Sequence, residues 1–134
     1  MKLVWDASAL VSLAMMDDAN HQAAHDVWEE HRATVSIFPA LAWFEFQATV
    51  SRLSQSGRRR SRELYILDEE DILLPLDQEF LRQCTEMKLA ERFPTLRGAD
   101  LVYVCAAYLM GAALVTFDKG MRKGAIGLVC LPDL

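Results

Sequence analysis

The sequence predicts an α/β fold in which helices cover both faces of a central, mostly parallel sheet. Short apolar segments, several of them β-branched, alternate along the chain with longer segments of helical composition. That alternation is typical of parallel strands joined by crossover helices. In addition, the uncharged stretch from Leu101 to Phe117 contains Gly111 where a helix would end, so it divides into a buried helix and a buried strand. Together these observations favour a three-layer α/β/α domain.

The length and composition indicate one globular domain. At 134 residues the chain is long enough for a substantial core, and a single domain over residues 1–134 is expected. Hydrophobic residues make up 52% and charged residues 25%, which excludes the disordered and fibrous classes. We expect a cytoplasmic protein, because no signal peptide is visible and the uncharged stretch is too short to cross a membrane. The net charge of -5 argues against a broad basic surface but is compatible with a local one.

The first half of the chain is predicted to form two strands and three helices. The strands cover residues 2–5 and 34–38, and the helices cover residues 7–16, 20–32 and 39–55. The first strand ends at Asp6, and Ser8 is the expected N-cap of the helix that follows. Pro39 stops the second strand and is acceptable in the first turn of the third helix.

The second half continues the alternation of strands and helices. Strands are predicted at residues 72–76, 112–117 and 126–131. Helices are predicted from the basic run after Gly57 to about residue 71, from Asp77 to a loop at residues 93–97, and from about Asp100 to Gly111. In the helix that Asp77 caps, four side chains are expected on the inner face: Phe80, Leu81, Cys84 and Met87.

Four acidic residues are candidates for chemistry. Asp6 and Asp118 each follow a predicted strand, Asp100 begins a helix, and Glu45 lies among apolar residues of another helix. Each has an ordinary structural explanation as well. Asp6 can cap a helix, Asp100 can interact with the helix dipole, Asp118 can belong to a turn, and Glu45 can pair with an arginine. Taken singly, none of them establishes a site.

The four acids are more informative together, because the carboxyl ends of parallel strands are where open α/β sheets bind ligands. Carboxylates that converge there repel one another by about 1 to 4 kcal/mol for each close pair, unless protons or cations neutralise them. Oxygen ligands without histidine or cysteine suit Mg²⁺ or Mn²⁺. Two such ions about 4 Å apart can activate water and stabilise the leaving oxygen in phosphodiester hydrolysis. A nuclease is therefore the first hypothesis.

Basic, histidine and aromatic residues give weaker signals. Four basic residues flank the acids and are expected to contact a nucleic-acid strand: Arg97, Lys119, Arg122 and Lys123. An arginine run is either a solvated helix face or a phosphate contact: Arg52, Arg58, Arg59, Arg60 and Arg62. His21 and His25 share a helix face but lack the HExxH pattern, so solvent-facing side chains are expected. Trp43, Phe44 and Phe46 are expected in the core or at an interface.

The motifs around the acids resemble those of the PIN domain family. They read VWDASAL at Asp6, PALAWFE ending at Glu45, and RGADLVYVCAAYLMGAALVTFD with Asp100 and Asp118. The size of the chain and the order of the acids resemble a VapC-type toxin ribonuclease of a type II toxin–antitoxin system. The resemblance implies a PIN-like domain and a Mg²⁺- or Mn²⁺-dependent endoribonuclease whose four acids are catalytic and bind metal. It also implies Ser8 and Thr116 as polar helpers, a homodimer, and an antitoxin that docks near the active site.

By this resemblance, water activated by the metal ion is the nucleophile and no side chain attacks phosphorus. Asp6 is expected to contact the ion most directly, with Glu45, Asp100 and Asp118 completing the set or holding a second ion. Two alternatives remain open. One is a housekeeping PIN-like nuclease that acts in RNA maturation or on DNA. The other is a non-catalytic module whose acids hold a structural cation or an arginine of a partner.

Overall fold

A five-stranded parallel sheet organises the fold. The computed structural model describes residues 1–60 and 70–132. Along the sheet the strands lie in the order β3-β2-β1-β4-β5, and each neighbouring pair is parallel. Their bounds are Leu3–Trp5 for β1, Ser36–Pro39 for β2, Ile72–Leu74 for β3, Ala113–Val115 for β4 and Cys130–Leu131 for β5. The predicted α/β class is confirmed, with a sheet that is parallel throughout its described strands.

Helices connect successive strands, as right-handed parallel crossovers require. Their bounds are Ala7–Ala14 for α1, His21–Glu30 for α2, Ala40–Gln55 for α3, Gln78–Glu86 for α4, Leu89–Arg92 for α5, Gly98–Met110 for α6 and Lys119–Gly124 for α7. The central strands β1 and β4 are buried along their whole length. Continuous apolar strands of this kind are expected where helices cover both faces of a sheet. None of the described helices is long and apolar enough to span a membrane.

The N-cap predicted for α1 was wrong. Asp6 has extended backbone angles and its Oδ1 accepts a hydrogen bond from Ala9 N at 2.7 Å, so Asp6 caps the helix. The Ser8 hydroxyl instead donates to Asp6 Oδ1 at 2.9 Å. Both residue types are good N-caps. What decides between them is the end of β1, since α1 begins at Ala7 and only Asp6 separates it from Trp5, the last strand residue.

The helix predicted after Asp77 is divided in two. Asp77 does cap α4, but Lys88 takes a left-handed conformation with φ of 52° and separates α4 from the short α5. Phe80 is buried and Cys84 packs against the core, as predicted. Leu81 and Met87 were wrongly placed on the inner face, because their side chains are 54% and 50% exposed.

Other boundaries also differ from the prediction. The strands predicted at residues 72–76, 112–117 and 126–131 are shorter in the structure, and α7 was not predicted at all. Arg58 and Arg59 lie outside any helix, and Arg60 forms an isolated antiparallel bridge with Met15. The predicted basic helix therefore does not begin at Arg58. Its remainder, including Arg62, falls on residues 61–69, outside the described residues.

Trp5 fixes the end of the central strand. Its side chain is fully buried, and its indole Nε1 donates to Ser36 Oγ of β2 at 3.2 Å. Its ring also meets Trp28 of α2 edge-on, with centroids 5.5 Å apart. Because buried tryptophan needs an acceptor for its N–H, these contacts hold the residue that directly precedes Asp6.

Replacing Ser36 with alanine removes that acceptor. Ser36→Ala is expected to lower the free energy of unfolding by about 1–3 kcal/mol, because a buried donor is left without a partner. Urea denaturation followed by circular dichroism measures the change. Ser56→Ala is the matched control, since the Ser56 hydroxyl also donates a hydrogen bond but is exposed, and it should change stability by less than about 0.5 kcal/mol. Equal effects in the two variants would contradict the role given to the Trp5–Ser36 bond.

Candidate active site

The candidate site lies where the chain changes direction across the sheet. From β1 the chain builds β2 and β3 on one side, and it later returns to place β4 and β5 on the other side. The segments after β1 and β4 therefore run to different helices from neighbouring strand ends. Such switch points leave a crevice outside the carboxyl ends of the strands. Asp6 directly follows β1, and Asp118 follows β4 after two intervening residues.

Asp6 is buried at the base of this crevice, with 1% of its surface exposed. Its Oδ1 accepts hydrogen bonds from Ala9 N and from the Ser8 hydroxyl. Burial nevertheless raises its pKa to about 6, although the nearby Thr116 hydroxyl and these two donors act in the opposite direction, and the charge of Asp118 raises it further. The donors that hold this carboxylate are neutral, so its charge is only partly compensated.

Asp118 lies at the end of the neighbouring strand segment and caps α7. Its Oδ1 accepts a hydrogen bond from Met121 N at 2.7 Å, and its own N–H donates to Thr116 Oγ1 at 3.0 Å. Thr116 is fully buried between the two aspartates' segments. Its hydroxyl therefore supports the backbone of Asp118 and favours the ionised form of Asp6. The role of Thr116 and Ser8 as polar helpers of a catalytic site stays a prediction.

Glu45 and Tyr103 join the two helices that border the crevice. Glu45 lies on α3, and its Oε1 accepts a hydrogen bond from the hydroxyl of Tyr103 on α6 at 2.9 Å. The arginine partner considered from the sequence is thus replaced by a neutral donor. Tyr103 is 2% exposed, and sequence reasoning missed it. The available signal was its spacing, since a residue three positions after Asp100 lies on the same side of a helix.

Asp100 lies in the first turn of α6 and is half-buried. Its pKa is raised by burial first and then by the charges of Asp118 and Glu45. The pKa of Tyr103 is also raised, by burial, by its bond to Glu45, and by the charges of Glu45, Asp6 and Asp100. Asp118 thus acts on Asp6 and Asp100, Glu45 acts on Asp100 and Tyr103, and Asp6 and Asp100 act on Tyr103. The structure brings Asp6, Glu45, Asp100 and Asp118 into one electrostatic neighbourhood.

The chemistry of the four side chains suits a hard divalent cation, because carboxylate oxygens are the ligands that Mg²⁺ and Mn²⁺ prefer. Within residues 1–60 and 70–132, no three acidic, histidine or cysteine side chains lie close enough to hold one ion jointly. Mg²⁺ is commonly held by only one or two carboxylates and keeps several water ligands. Carboxylate oxygens that raise one another's pKa values suit such an ion, because a cation relieves the repulsion. The assignment of the individual ligands stays a prediction.

The flanking basic residues divide into an exposed group and a bonded one. Arg97 and Lys119 are exposed at the starts of α6 and α7, and Lys123 is exposed in the last turn of α7. Arg122 is half-buried, and its Nη1 donates to the backbone oxygen of Thr116 at 2.7 Å. Arg122 therefore braces the segment between β4 and Asp118. No comparable hydrogen bond to the described residues is seen for Arg97, Lys119 or Lys123. Their contact with a nucleic acid stays a prediction.

Residues away from the crevice have mostly structural tasks. Arg58 forms an ion pair with Asp17 at 3.0 Å, which ties the segment after α3 to the segment after α1. His21 is half-buried and its Nδ1 lies 2.9 Å from the backbone oxygen of Ser12, so the expectation that it faces solvent was wrong. His25 lies 3.9 Å from Glu29.

The sequence matches a known protein family, and the fold is similar to solved structures. The family model for the PIN domain matches residues 3–126, a span that includes all four acids. The structure of VapC20 from Mycobacterium tuberculosis, described as a sarcin-ricin loop cleaving toxin, is similar with a TM-score of 0.69. The sequence identity is 16%, and the alignment covers 95% of this chain and 96% of that chain.

Two further structures share the fold. VapBC2 from Rickettsia felis, bound to a DNA fragment from the promoter, is similar with a TM-score of 0.64 and 14% identity over 97% of both chains. PAE2754 from Pyrobaculum aerophilum gives a TM-score of 0.61 and 25% identity, covering 98% of this chain and 84% of that chain. No sequence among the curated proteins matches the chain.

The raised pKa of Asp6 predicts a pH-dependent stability difference. As the pH rises from about 4 to 6, the unfolded chain loses the Asp6 proton before the folded protein does, so the free energy of unfolding falls across that window and stays lower above it. Asp6→Asn keeps a good N-cap and removes the buried charge. The metal-free variant should be more stable than the wild type near neutral pH, by up to about 3 kcal/mol, with no gain below about pH 4.

Urea denaturation in the presence of a chelator, repeated across this pH range, measures the difference. Asp77→Asn is the matched control, because Asp77 also caps a helix by accepting from a backbone N–H but is exposed. It should not gain stability at neutral pH. A gain of the same size in both variants, or no gain for Asp6→Asn, would contradict burial as the cause.

Proposed function

The chain belongs to the PIN domain family, whose members are generally nucleases, and we propose that it is a Mg²⁺- or Mn²⁺-dependent endoribonuclease, the toxin of a toxin–antitoxin pair. The observation that carries the proposal is the placement of four carboxylates at the switch point of the sheet. They come from four separate segments of the chain, and each raises the pKa of a neighbouring group. Such a cluster is costly in a stable domain unless it serves to bind a cation.

The proposal assigns a role to each of the four acids. Asp6 is fixed by its bonds to Ala9 and Ser8, so it offers a carboxylate of defined position. Glu45, Asp100 and Asp118 come from three other segments and add negative charge that acts on Asp6, Asp100 or Tyr103. When bound at these carboxylates, a divalent cation supplies the activation of water and the stabilisation of the leaving oxygen in phosphodiester hydrolysis. In this proposal all four acids are both catalytic residues and metal ligands.

The substrate class follows from the charges around the crevice. The acids alone would repel a nucleic acid, so phosphate groups need cations at the rim. Arg97 and Lys119 are exposed at the starts of α6 and α7, Lys123 is exposed in the last turn of α7, and all three can contact backbone phosphates. VapC20, which shares the fold, is described as cleaving the sarcin-ricin loop. On these grounds RNA is the proposed substrate.

The proposed partners are a cognate antitoxin and a second copy of the chain. Similarity to VapBC2, a protein studied with its promoter DNA, supports the antitoxin. A cavity of about 550 Å³ runs along α3, the helix of Glu45, and is lined by Trp43, Phe46 and Val50 among others. A groove of this kind can accept an apolar segment of a partner. The exposed side chains of Phe44 and Ile126, which are 70% and 73% exposed, favour burial in an assembly.

Cleavage of RNA by the purified protein tests the proposal. With Mg²⁺ or Mn²⁺ present we expect endonucleolytic products on a gel, and none with a chelator. Asp100→Asn should lower the rate by more than about 100-fold, because it removes a proposed metal ligand. Its circular dichroism spectrum should match that of the wild type, since Asp100 is only half-buried. Asp77→Asn, purified identically, should cleave like the wild type.

The same assay separates the alternatives. Equal activity in wild type and Asp100→Asn would point to a contaminating ribonuclease. Cleavage of DNA, or of a structured precursor RNA without growth arrest on expression, would favour a housekeeping nuclease. No hydrolysis with any metal, combined with full thermal stability and partner binding after all four acids are replaced, would establish the non-catalytic module.

A further inference from the structure

Tyr103 places a hydroxyl group among the acids of the site. It lies on α6 one turn after Asp100, and its hydroxyl donates to Glu45 Oε1 at 2.9 Å. The two residues belong to helices from opposite halves of the chain. The ring is 2% exposed, so packing fixes the position of its hydroxyl. Glu45 is held less firmly by packing, because it is half-buried.

The hydrogen bond limits where the Glu45 carboxylate can go. A glutamate side chain has three rotatable bonds, and ordering them costs conformational entropy. A donor on a rigid, buried ring selects one arrangement before any ligand arrives. Because the bond uses Oε1, the second carboxylate oxygen remains available to a cation. Bonds of this kind, made by a residue that does not itself touch the metal, orient ligands and tune their affinity.

Tyr103 is well suited to remain a donor. Burial, the bond to Glu45 and the charges of Glu45, Asp6 and Asp100 all raise its pKa. An ordinary tyrosine phenol, with a pKa of about 10, is already protonated at neutral pH, so the donor is present when the bond to Glu45 forms. A neutral donor also avoids a cost that a lysine would bring, since a cation at this position would compete with the divalent ion for the same carboxylate.

From these contacts we propose that Tyr103 is a positioning residue, which holds the Glu45 carboxylate in the orientation that binds the divalent cation. This inference rests on the proposed function. The simpler alternative is that Tyr103 only satisfies its own hydroxyl within the core, as buried tyrosines usually do. A purely structural bond would affect the stability of the fold but not the affinity for the cation.

Calorimetric titration of the whole chain with Mn²⁺ distinguishes the two. Tyr103→Phe keeps the volume of the ring and removes the donor, so the fold should persist with a melting temperature lower by a few degrees. The dissociation constant for Mn²⁺ should rise by about 10-fold or more. Saturating Mn²⁺ should restore most of the RNA cleavage rate. Tyr108→Phe is the matched control on the same helix, where Tyr108 contacts Phe93 and Arg92, and it should bind Mn²⁺ like the wild type.

A second set of variants tests whether Tyr103 acts through Glu45. In a Glu45→Gln background, adding Tyr103→Phe should change the Mn²⁺ dissociation constant by less than about 2-fold, because the carboxylate that it orients is already gone. The comparison is between Glu45→Gln and the double variant Glu45→Gln/Tyr103→Phe. A loss of stability that both variants share does not change the ratio of their Mn²⁺ dissociation constants.

The outcomes separate this inference from the proposed function. A wild type that binds Mn²⁺ and cleaves RNA, while Tyr103→Phe keeps the wild-type affinity, would overturn the positioning role alone. An effect of Tyr103→Phe that persists in full in the Glu45→Gln background would overturn it as well. A wild type that neither binds Mn²⁺ nor cleaves RNA would overturn the proposed function, and the positioning role with it.

Discussion

Repulsion between carboxylates is the interaction on which the region around the switch point depends, since the charge of Asp118 raises the pKa of both Asp6 and Asp100. Asp6 is nearly inaccessible to solvent, yet the groups that hold it are a backbone N–H and hydroxyls rather than a cationic side chain. Glu45 likewise accepts a hydrogen bond from a neutral group, the hydroxyl of Tyr103. A nearby arginine, Arg122, donates to a backbone oxygen instead of to an acid. The protein fixes the positions of its acids while leaving most of their charge uncompensated, which is what a cation site requires.

The capping bonds of the two aspartates show that a residue can be a helix cap and also a candidate metal ligand. Asp6 caps α1 and Asp118 caps α7, and each uses Oδ1 to do so. A carboxylate has two oxygens, so a capping bond to one of them does not use up its capacity to accept other partners. The cap also fixes the rotamer, so the residue needs no further ordering when a ligand arrives. An aspartate that follows a strand can therefore start the next helix and hold its carboxylate at the edge of the sheet. The fold has such a residue after β1 and after β4.

Much of this arrangement could be predicted from the sequence, and the errors have identifiable causes. Alternating apolar segments predicted the parallel sheet, and acids after two of those segments predicted the crevice. The choice of Asp6 over Ser8 as the cap depended on the residue at which β1 ends, which composition does not determine. The break at Lys88 requires a left-handed conformation without glycine, for which the sequence gives no signal. Helix α7 is short and contains two glycines, and Tyr103 gained its role from a partner distant in sequence.

The position of β1 in the middle of the sheet has a consequence for synthesis of the protein. A ribosome that has completed β1, β2 and α3 has produced Asp6 and Glu45, but neither Asp100 nor Asp118. One edge of β1 stays uncovered until residues 113–115 emerge and pair with it. Pairing between the ends of a chain is slow because a long loop must close first. Chains that stop before residue 98 therefore lack Asp100, Asp118 and the strand that pairs with β1, so the four acids come together only after residues 113–118 have been made.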